Sequence, residues 1–122
     1  MSGPVFDERD QLDTVAAALL PGERIVAVYD ATDPGAGFIG LTDLRVLLQD
    51  NAFAGRRTAL TSIPYARICS VSLLSGRTST GGVVASGRIA VTTGPHTYEL
   101  ALRDAGRARH AHDVVLERML RP

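Results

Sequence analysis

Residues 37–49 read Gly-Phe-Ile-Gly-Leu-Thr-Asp-Leu-Arg-Val-Leu-Leu-Gln, and this stretch decides the fold. Two mainly apolar runs, 37–41 and 44–49, are separated only by Thr42 and Asp43. Short apolar runs bounded by polar residues are typical of strands, and so short a break leaves room only for a tight turn. The stretch therefore predicts a β-hairpin.

Five further strands are predicted, one before this hairpin and four after it. One strand precedes it at 23–31, ended by the turn Asp33-Pro34-Gly35, and four follow it, at 57–63, 67–74, 83–91 and 97–102. Gly87, inside the run 83–91, indicates a bulge or a sharp bend. Seven antiparallel strands with short links must close into a barrel or pack as two sheets.

A helix is predicted at each end of the chain. After a loose lead over residues 1–6, Leu12, Val15 and Leu19 recur at helical spacing within residues 7–20, and Pro21-Gly22 ends that helix. The second helix covers 105–120, with Asp104 as its N-cap. The order is therefore helix, seven strands, helix.

The composition predicts one soluble, cytoplasmic domain. The chain has 122 residues, 45% of them hydrophobic, with one cysteine and no tryptophan. That size suits a single domain with its own core and no disulfide. No apolar run reaches membrane-spanning length, and the N-terminus lacks the pattern of a signal peptide. We divide the chain into a lead and amphipathic helix, 1–21, and a main unit, 22–122.

Three segments resemble those of bacterial pleckstrin-homology-like (PH-like) domains. They are Leu-Pro-Gly-Glu-Arg-Ile at 20–25, Leu-Thr-Asp-Leu-Arg-Val at 41–46 and Ser-Ile-Pro-Tyr-Ala-Arg-Ile at 62–68. The resemblance implies a mainly β fold with flanking helices: a PH-like barrel of two roughly orthogonal antiparallel sheets, seven strands in all, capped by the C-terminal helix. The N-terminal helix is additional. Such domains bind phosphoinositides, peptides or proteins, and bacterial members often self-associate, so the fold does not select among these roles.

Lipid-binding PH domains gather basic residues between their first two strands, where this chain departs from the pattern. The corresponding loop, 31–36, has no basic residue and carries Asp33. An anion or phospholipid headgroup sensor would therefore have to use arginines elsewhere, for which the candidates are Arg56, Arg57, Arg67 and Arg77.

The sequence gives little evidence for metal binding, nucleic-acid binding or catalysis. His110, Asp113 and Glu117 share a helix side, but no metal-ligand motif accompanies them, so no metal or other cofactor is predicted. His112 is predicted on the apolar side of that helix, opposite His110. Cys69 is expected to be an inert, buried thiol within a strand. Nucleic acid is not expected, because no aromatic run offers a stacking platform, and a small enzyme is only the third hypothesis.

The leading hypothesis is a non-catalytic protein-interaction or assembly module, with a homo-oligomer or another protein as partner. Leu12, Val15 and Leu19 form an apolar stripe on the N-terminal helix that must cover a groove on its own barrel or a neighbouring subunit. Peripheral membrane contact is left open but not favoured, because this helix is acidic.

The neutral net charge conceals an uneven distribution. Residues 1–50 hold nine acids and three arginines, a net charge of −6, and residues 51–122 hold four acids and ten arginines, a net charge of +6. If the fold keeps these halves apart, the molecule is an electric dipole suited to oriented self-association.

Overall fold

The computed structural model describes residues 3–53, 57–77 and 79–121, with the backbone alone at 53, 77 and 83–85. Across these residues it contains two α-helices, eight strands and a 3₁₀ turn. In chain order they are β1 Val5–Phe6, α1 Arg9–Ala18, β2 Ile25–Asp30, β3 Ala36–Thr42, β4 Arg45–Phe53, β5 Arg57–Pro64, the 3₁₀ turn Tyr65–Arg67, β6 Ser70–Arg77, β7 Val83–Thr93, β8 His96–Ala101 and α2 Ala105–Leu120.

The strands form two sheets, ordered β1-β2-β3-β4-β5 and β6-β7-β8. Neighbouring strands are antiparallel, except that β1 runs parallel to β2. The predicted hairpin is confirmed as β3 and β4, with Leu41 opposite Val46. Its turn is shifted by one residue, to Asp43 and Leu44, because the side chain of Thr42 accepts the N–H groups of Leu44 and Arg45.

The predicted seven-strand barrel is wrong in two respects. Val5–Phe6, expected in a loose lead, forms β1, because α1 supplies the long crossover that a parallel pair needs. The sheets also do not close into a barrel. Among the described residues β5 does not pair with β6, and on the other side only an isolated bridge joins Ala31 to Leu102.

Cys69 is exposed, and its predicted burial within a strand is wrong. The 3₁₀ turn takes up the residues after Pro64, so that β6 begins only at Ser70. The Cys69 thiol lies outside the core and accepts the backbone N–H of Gly94 at 3.3 Å.

Gly87 produces the predicted bulge. Leu74 pairs with Arg88, but Ser75 pairs with Ala85, which leaves Ser86 and Gly87 as extra residues on β7. Gly87 has a φ of +71°, a left-handed conformation that suits glycine. Its carbonyl accepts the N–H of Leu102 at 2.8 Å, so the bulge also holds the chain just after β8.

The main core lies between the two sheets and under α2. Alternate residues of β2, such as Ala27 and Tyr29, point into it. From α2 the small residues Ala108, Ala111 and Val115 enter it. Asp104 caps α2 as predicted, accepting the N–H of Arg107 at 2.8 Å. Neither helix of the described part of the chain is long and apolar enough to cross a membrane.

A second apolar cluster lies on the outer face of the five-stranded sheet, under α1. Leu12 and Val15 pack there against Val28, Phe38 and Leu47. Leu19, half-buried, packs against the same cluster. The side chains proposed as an interface therefore contact the chain's own sheet in this structure, which is why β2 is apolar on both faces.

Acidic and basic halves of the chain interleave, so the expected dipole of separated halves is not formed. Arginines of β7, of α2 and of the segment between β8 and α2 form ion pairs with acids of the first half of the chain. These pairs are Arg88–Asp33 at 2.7 Å, Arg103–Glu8 at 3.0 Å, Arg103–Asp30 at 3.4 Å and Arg107–Asp7 at 2.7 Å.

Candidate functional site

Glu23, which follows the turn after α1, has a buried carboxylate that accepts several hydrogen bonds. Its side chain is wholly buried and takes a bidentate contact from Arg45, with Nε to Oε2 and Nη2 to Oε1 both at 2.9 Å. Thr42 donates its hydroxyl to Oε2 at 2.7 Å, and the N–H of Leu20 donates to Oε1 at 2.9 Å. Every partner here belongs to the chain itself.

Electrostatics keep this buried pair charged. The hydrogen bond from Arg45, together with those from Leu20 and Thr42, lowers the pKa of Glu23 from 4.5 to about 2, although burial acts in the opposite direction. The same carboxylate raises the pKa of Arg45. The pair is therefore ionised at any physiological pH.

The remaining donors of Arg45 bind neighbouring elements. Nη2 donates to the carbonyl of Ala18 at the end of α1 at 2.7 Å, and Nη1 donates to Ser62 of β5 at 2.8 Å. The hydroxyl of Tyr65 donates to the carbonyl of Thr42 at 2.7 Å. The sequence segments that suggested the family thus meet in one hydrogen-bonded cluster formed by Glu23, Thr42, Arg45, Ser62 and Tyr65.

Of the four arginines predicted as an anion site, the structure describes the side chains of Arg57 and Arg67, and these two lie apart. Arg56 lies outside the described residues, and Arg77 is described only as backbone at the end of β6. Arg57 begins β5 and Arg67 ends the 3₁₀ turn that follows it. Because a strand rises about 3.3 Å per residue, the eight residues of β5 span roughly 23 Å, with Arg57 at the start of the strand and Arg67 beyond its far end.

The β2–β3 loop is held by ion pairs and offers no cation to an anion. Asp33 binds Arg88 at 2.7 Å and accepts the N–H of Ala101 at 3.0 Å. The adjacent cleft, of about 260 Å³, is lined by Asp33, Asp50 and Glu99 together with apolar side chains. These carboxylates would repel a phosphate group, in agreement with the sequence of the loop.

The histidines of α2 have protein partners rather than a shared ion. His110, predicted on the exposed side, is half-buried; the hydroxyl of Tyr29 lies 2.5 Å from its Nδ1, and the two rings meet edge to face. His112 lies 2.9 Å from the Asp113 carboxylate. Within the described ranges no group of His, Cys, Asp and Glu side chains is arranged to hold a metal ion.

One edge of the larger sheet is bare. The strand β5 pairs with β4 on one side, and no described residue pairs with its other side. Its residues 58–63 carry no charge, and Leu60 is 38% exposed. Unpaired N–H and C=O groups of such a strand are a template for another strand.

A second unassigned surface lies where the β3–β4 turn meets the end of α2. Leu44, Arg118 and Arg121 line one cleft of about 290 Å³. Sequence reasoning missed this surface, although an apolar residue at the tip of the tightest turn, Leu44, was a usable signal.

Two sheets that share one core and are antiparallel apart from β1, with a C-terminal helix packed against that core, place the domain in the PH-like class. A family model of the bacterial PH domain matches residues 19–117, and the chain therefore belongs to the bacterial PH domain family. PH-like domains are generally non-catalytic.

Solved structures share this fold. The crystal structure of a pleckstrin homology domain from Shewanella amazonensis SB2B has a TM-score of 0.65 and 14% sequence identity, covering 93% of this chain and 99% of that one. A DUF1696 family protein with a pleckstrin-homology domain from Shewanella loihica PV-4 has a TM-score of 0.60 and 13% identity, covering 97% and 99%. At such identities the likeness concerns the fold alone. No curated protein matches the sequence.

Proposed function

We propose that this domain is a non-catalytic assembly module whose copies pair through the bare edge of β5. The observation that carries the proposal is the uncharged, unpaired edge of that strand over residues 58–63. Natural domains normally protect an edge with charge, proline, a bulge or a covering element. An edge left without such protection is suited to pairing with another strand.

The other sheet edges of the described structure are protected. Pro4 precedes β1 and acidic residues follow it, so that edge is short and interrupted. The edge of β8 is tied to the β2–β3 loop, where the N–H of Thr32 donates to the carbonyl of Ala101 at 2.8 Å. α2 packs against β6. In β5 a charge and a proline stand only at the two ends, Arg57 and Pro64, so the residues 58–63 between them lack these protections.

A second copy is the partner that β5 fits best. Two copies related by a two-fold axis would place the strands antiparallel, which joins two five-stranded sheets into one. Because residues 58–63 are uncharged, no like charges oppose each other across the new pair. Leu60, on the outer face, would lie near its counterpart and lose its exposed surface.

Light scattering after size exclusion tests this pairing. We expect the wild-type chain to form a dimer at micromolar concentrations and Leu60→Lys to be a monomer, because a lysine on an edge strand opposes edge-to-edge pairing. Leu73→Lys is the matched control, since Leu73 lies on β6 and is also 38% exposed. It should remain dimeric.

A wild-type chain that stays monomeric throughout the micromolar range would exclude the proposal. A dimer that Leu60→Lys leaves intact would exclude this edge as its interface. Circular dichroism of both lysine variants would verify that they are folded.

A further inference from the structure

We propose that the cleft beside the β2–β3 loop binds an arginine side chain presented by a partner protein. The inference does not use the bare edge of β5 and does not depend on dimer formation. It rests on the apolar lining of the cleft, on the carboxylates that share this lining and on the size of the cleft.

The cleft lies between the two sheets and has an apolar floor. It is lined by the β2–β3 loop, the start of β3 and part of β4 from one sheet, and by part of β8 from the other. Five of its nine lining residues are apolar or aromatic: Pro34, Ala36, Leu48, Tyr98 and Leu100. Leu48 and Leu100 are buried members of the main core, so the floor of the cleft is part of that core.

Three carboxylates stand in the same lining, and their charge is only partly neutralised. Arg88 donates to Asp33 at 2.7 Å and to Glu99 at 2.8 Å. Among the described residues no cation pairs with Asp50, which accepts the N–H of Ala52 with one oxygen at 2.9 Å. Three acids against one arginine leave the described side chains of the cleft with a net charge of −2.

An apolar floor with negative groups beside it selects a cation that has an apolar part. A long basic side chain combines the two, since its methylene stem covers apolar surface while its charged head stays in a polar environment. A metal ion suits the cleft less well, because hard cations need several oxygen ligands around them. Within the described ranges no group of His, Cys, Asp and Glu side chains is arranged to hold one.

The size of the cleft also favours a single side chain. Its volume of about 260 Å³ is below the roughly 300–1,000 Å³ that is usual for small-molecule sites. The cleft is open to solvent, and Pro34 at its edge is exposed. A protein segment can therefore insert one side chain and contact the surface around the cleft as well, which free arginine cannot do.

Arginine fits this cleft better than lysine does. A guanidinium group has five donors in a fixed planar fork, whereas a lysine ammonium group is a compact point charge. Asp50 and Glu99 each have one carboxylate oxygen that no described residue bonds, and these oxygens can accept charge-assisted hydrogen bonds. Tyr98 adds an aromatic ring to the lining, and arginine binds such rings more often than lysine does.

NMR titration of the ¹⁵N-labelled chain with short peptides tests the proposal. The probe is an acetylated and amidated Gly-Arg-Gly peptide, and its matched control carries citrulline, whose neutral ureido group has the shape of guanidinium. We expect the arginine peptide to cause saturable shifts of the backbone amides within 33–36, 48–50 and 98–100. The citrulline peptide should bind about tenfold more weakly. A lysine peptide should bind about threefold more weakly.

Substitutions separate this cleft from other acidic surface. Asp50→Asn keeps the oxygen that accepts the N–H of Ala52 but removes the charge, and we expect it to weaken binding of the arginine peptide about fivefold. Asp10→Asn, which removes an exposed acid from α1, is the control and should bind as the wild type does.

Four results would overturn the proposal. They are the absence of saturable shifts at the cleft, equal binding of the arginine and citrulline peptides, equal binding of the arginine and lysine peptides, and equal affinities of Asp50→Asn and Asp10→Asn.

Discussion

Glu23 and Arg45 link parts of the chain that are far apart in sequence. Their bidentate contact connects the end of α1 to the β3–β4 turn, and Arg45 extends it to β5. A buried pair contributes little beyond an apolar equivalent, but losing one partner leaves an uncompensated charge. These residues are therefore best understood as a structural feature of the domain.

Removal of Arg45 should be costly. We expect Arg45→Ala to lower the free energy of unfolding by about 3–5 kcal/mol, because the wholly buried carboxylate of Glu23 loses its counter-ion. Urea denaturation measures the change. Arg24→Ala, at an exposed arginine without an ion pair, is the control and should stay within about 0.5 kcal/mol of the wild type. Equal stability of the two variants would contradict the structural role of the pair.

Acid should destabilise the domain through the same carboxyl. Glu23 has its pKa lowered from 4.5 to about 2 by Arg45, so the charged form is the one that stabilises the fold. That contribution is fully present above pH 4.5 and is lost as the pH falls through about 2. Urea midpoints measured across this window should fall less steeply in Arg45→Ala than in the wild type. Parallel declines would show that the pair does not cause the acid sensitivity.

At this scale the sequence predicts which segments matter but not what they do. The segments at 20–25, 41–46 and 62–68 are recognisable as a pattern. The hydrogen bonds between these segments depend on distances in the folded chain. Arg45 reaches Ala18 and Ser62 only after the sheet has formed. Whether an arginine has an ion partner depends in the same way on which acids the fold brings near, as Arg88 and Asp33 show.

At the scale of secondary-structure elements, Gly40 of β3 allows α1 to pack closely against the sheet. A Cβ added to Gly40 would lie 2.9 Å from Cγ2 of Val15, closer than side chains approach. Gly40 therefore allows Val15 to sit directly on β3. The close approach explains how a helix of ten residues can be held against an outer sheet face.

Gly40→Ala should push α1 away from the sheet. We expect a loss of about 1–3 kcal/mol in the free energy of unfolding, the usual cost of overpacking. Gly76→Ala is the control, because a Cβ there meets no atom within 4 Å. Adding Val15→Ala to Gly40→Ala removes the clash, so the double variant should lose less than the two single losses combined. Simple additivity in chemical denaturation would show that the two residues do not touch.

Most elements could be predicted from periodicity, and the exceptions have physical reasons. The strands and both helices carry clear apolar patterns, whereas Val5–Phe6 is too short to carry one and owes its pairing to α1. The apolar stripe of α1 indicates that this face of the helix is buried, but it does not indicate whether the chain's own sheet or another subunit buries it. Whether the sheets close into a barrel depends on the path between β5 and β6, which local patterns do not determine.

At the scale of the whole molecule, charge is balanced by contacts between the two halves of the chain. Arginines of β7, α2 and the segment between β8 and α2 pair with acids of the first half. Self-association driven by opposed charged halves is therefore not what this structure favours. Pairing through backbone groups of β5 needs no charge.

Salt should distinguish these two modes of association. Raising the ionic strength screens charged contacts. We expect the dimer fraction seen by light scattering to stay unchanged between low and high salt. A dimer that dissociates as salt rises would indicate a charged interface in place of the β5 edge.

Hydrogen exchange of the β5 backbone amides tests the dimer most directly. Within residues 58–63, the amides that face away from β4 should exchange slowly at concentrations where the dimer forms and rapidly when it is diluted to monomer. The outward amides of β6 should exchange at the same rate in both conditions. Outward β5 amides whose exchange is independent of protein concentration would contradict pairing through this edge.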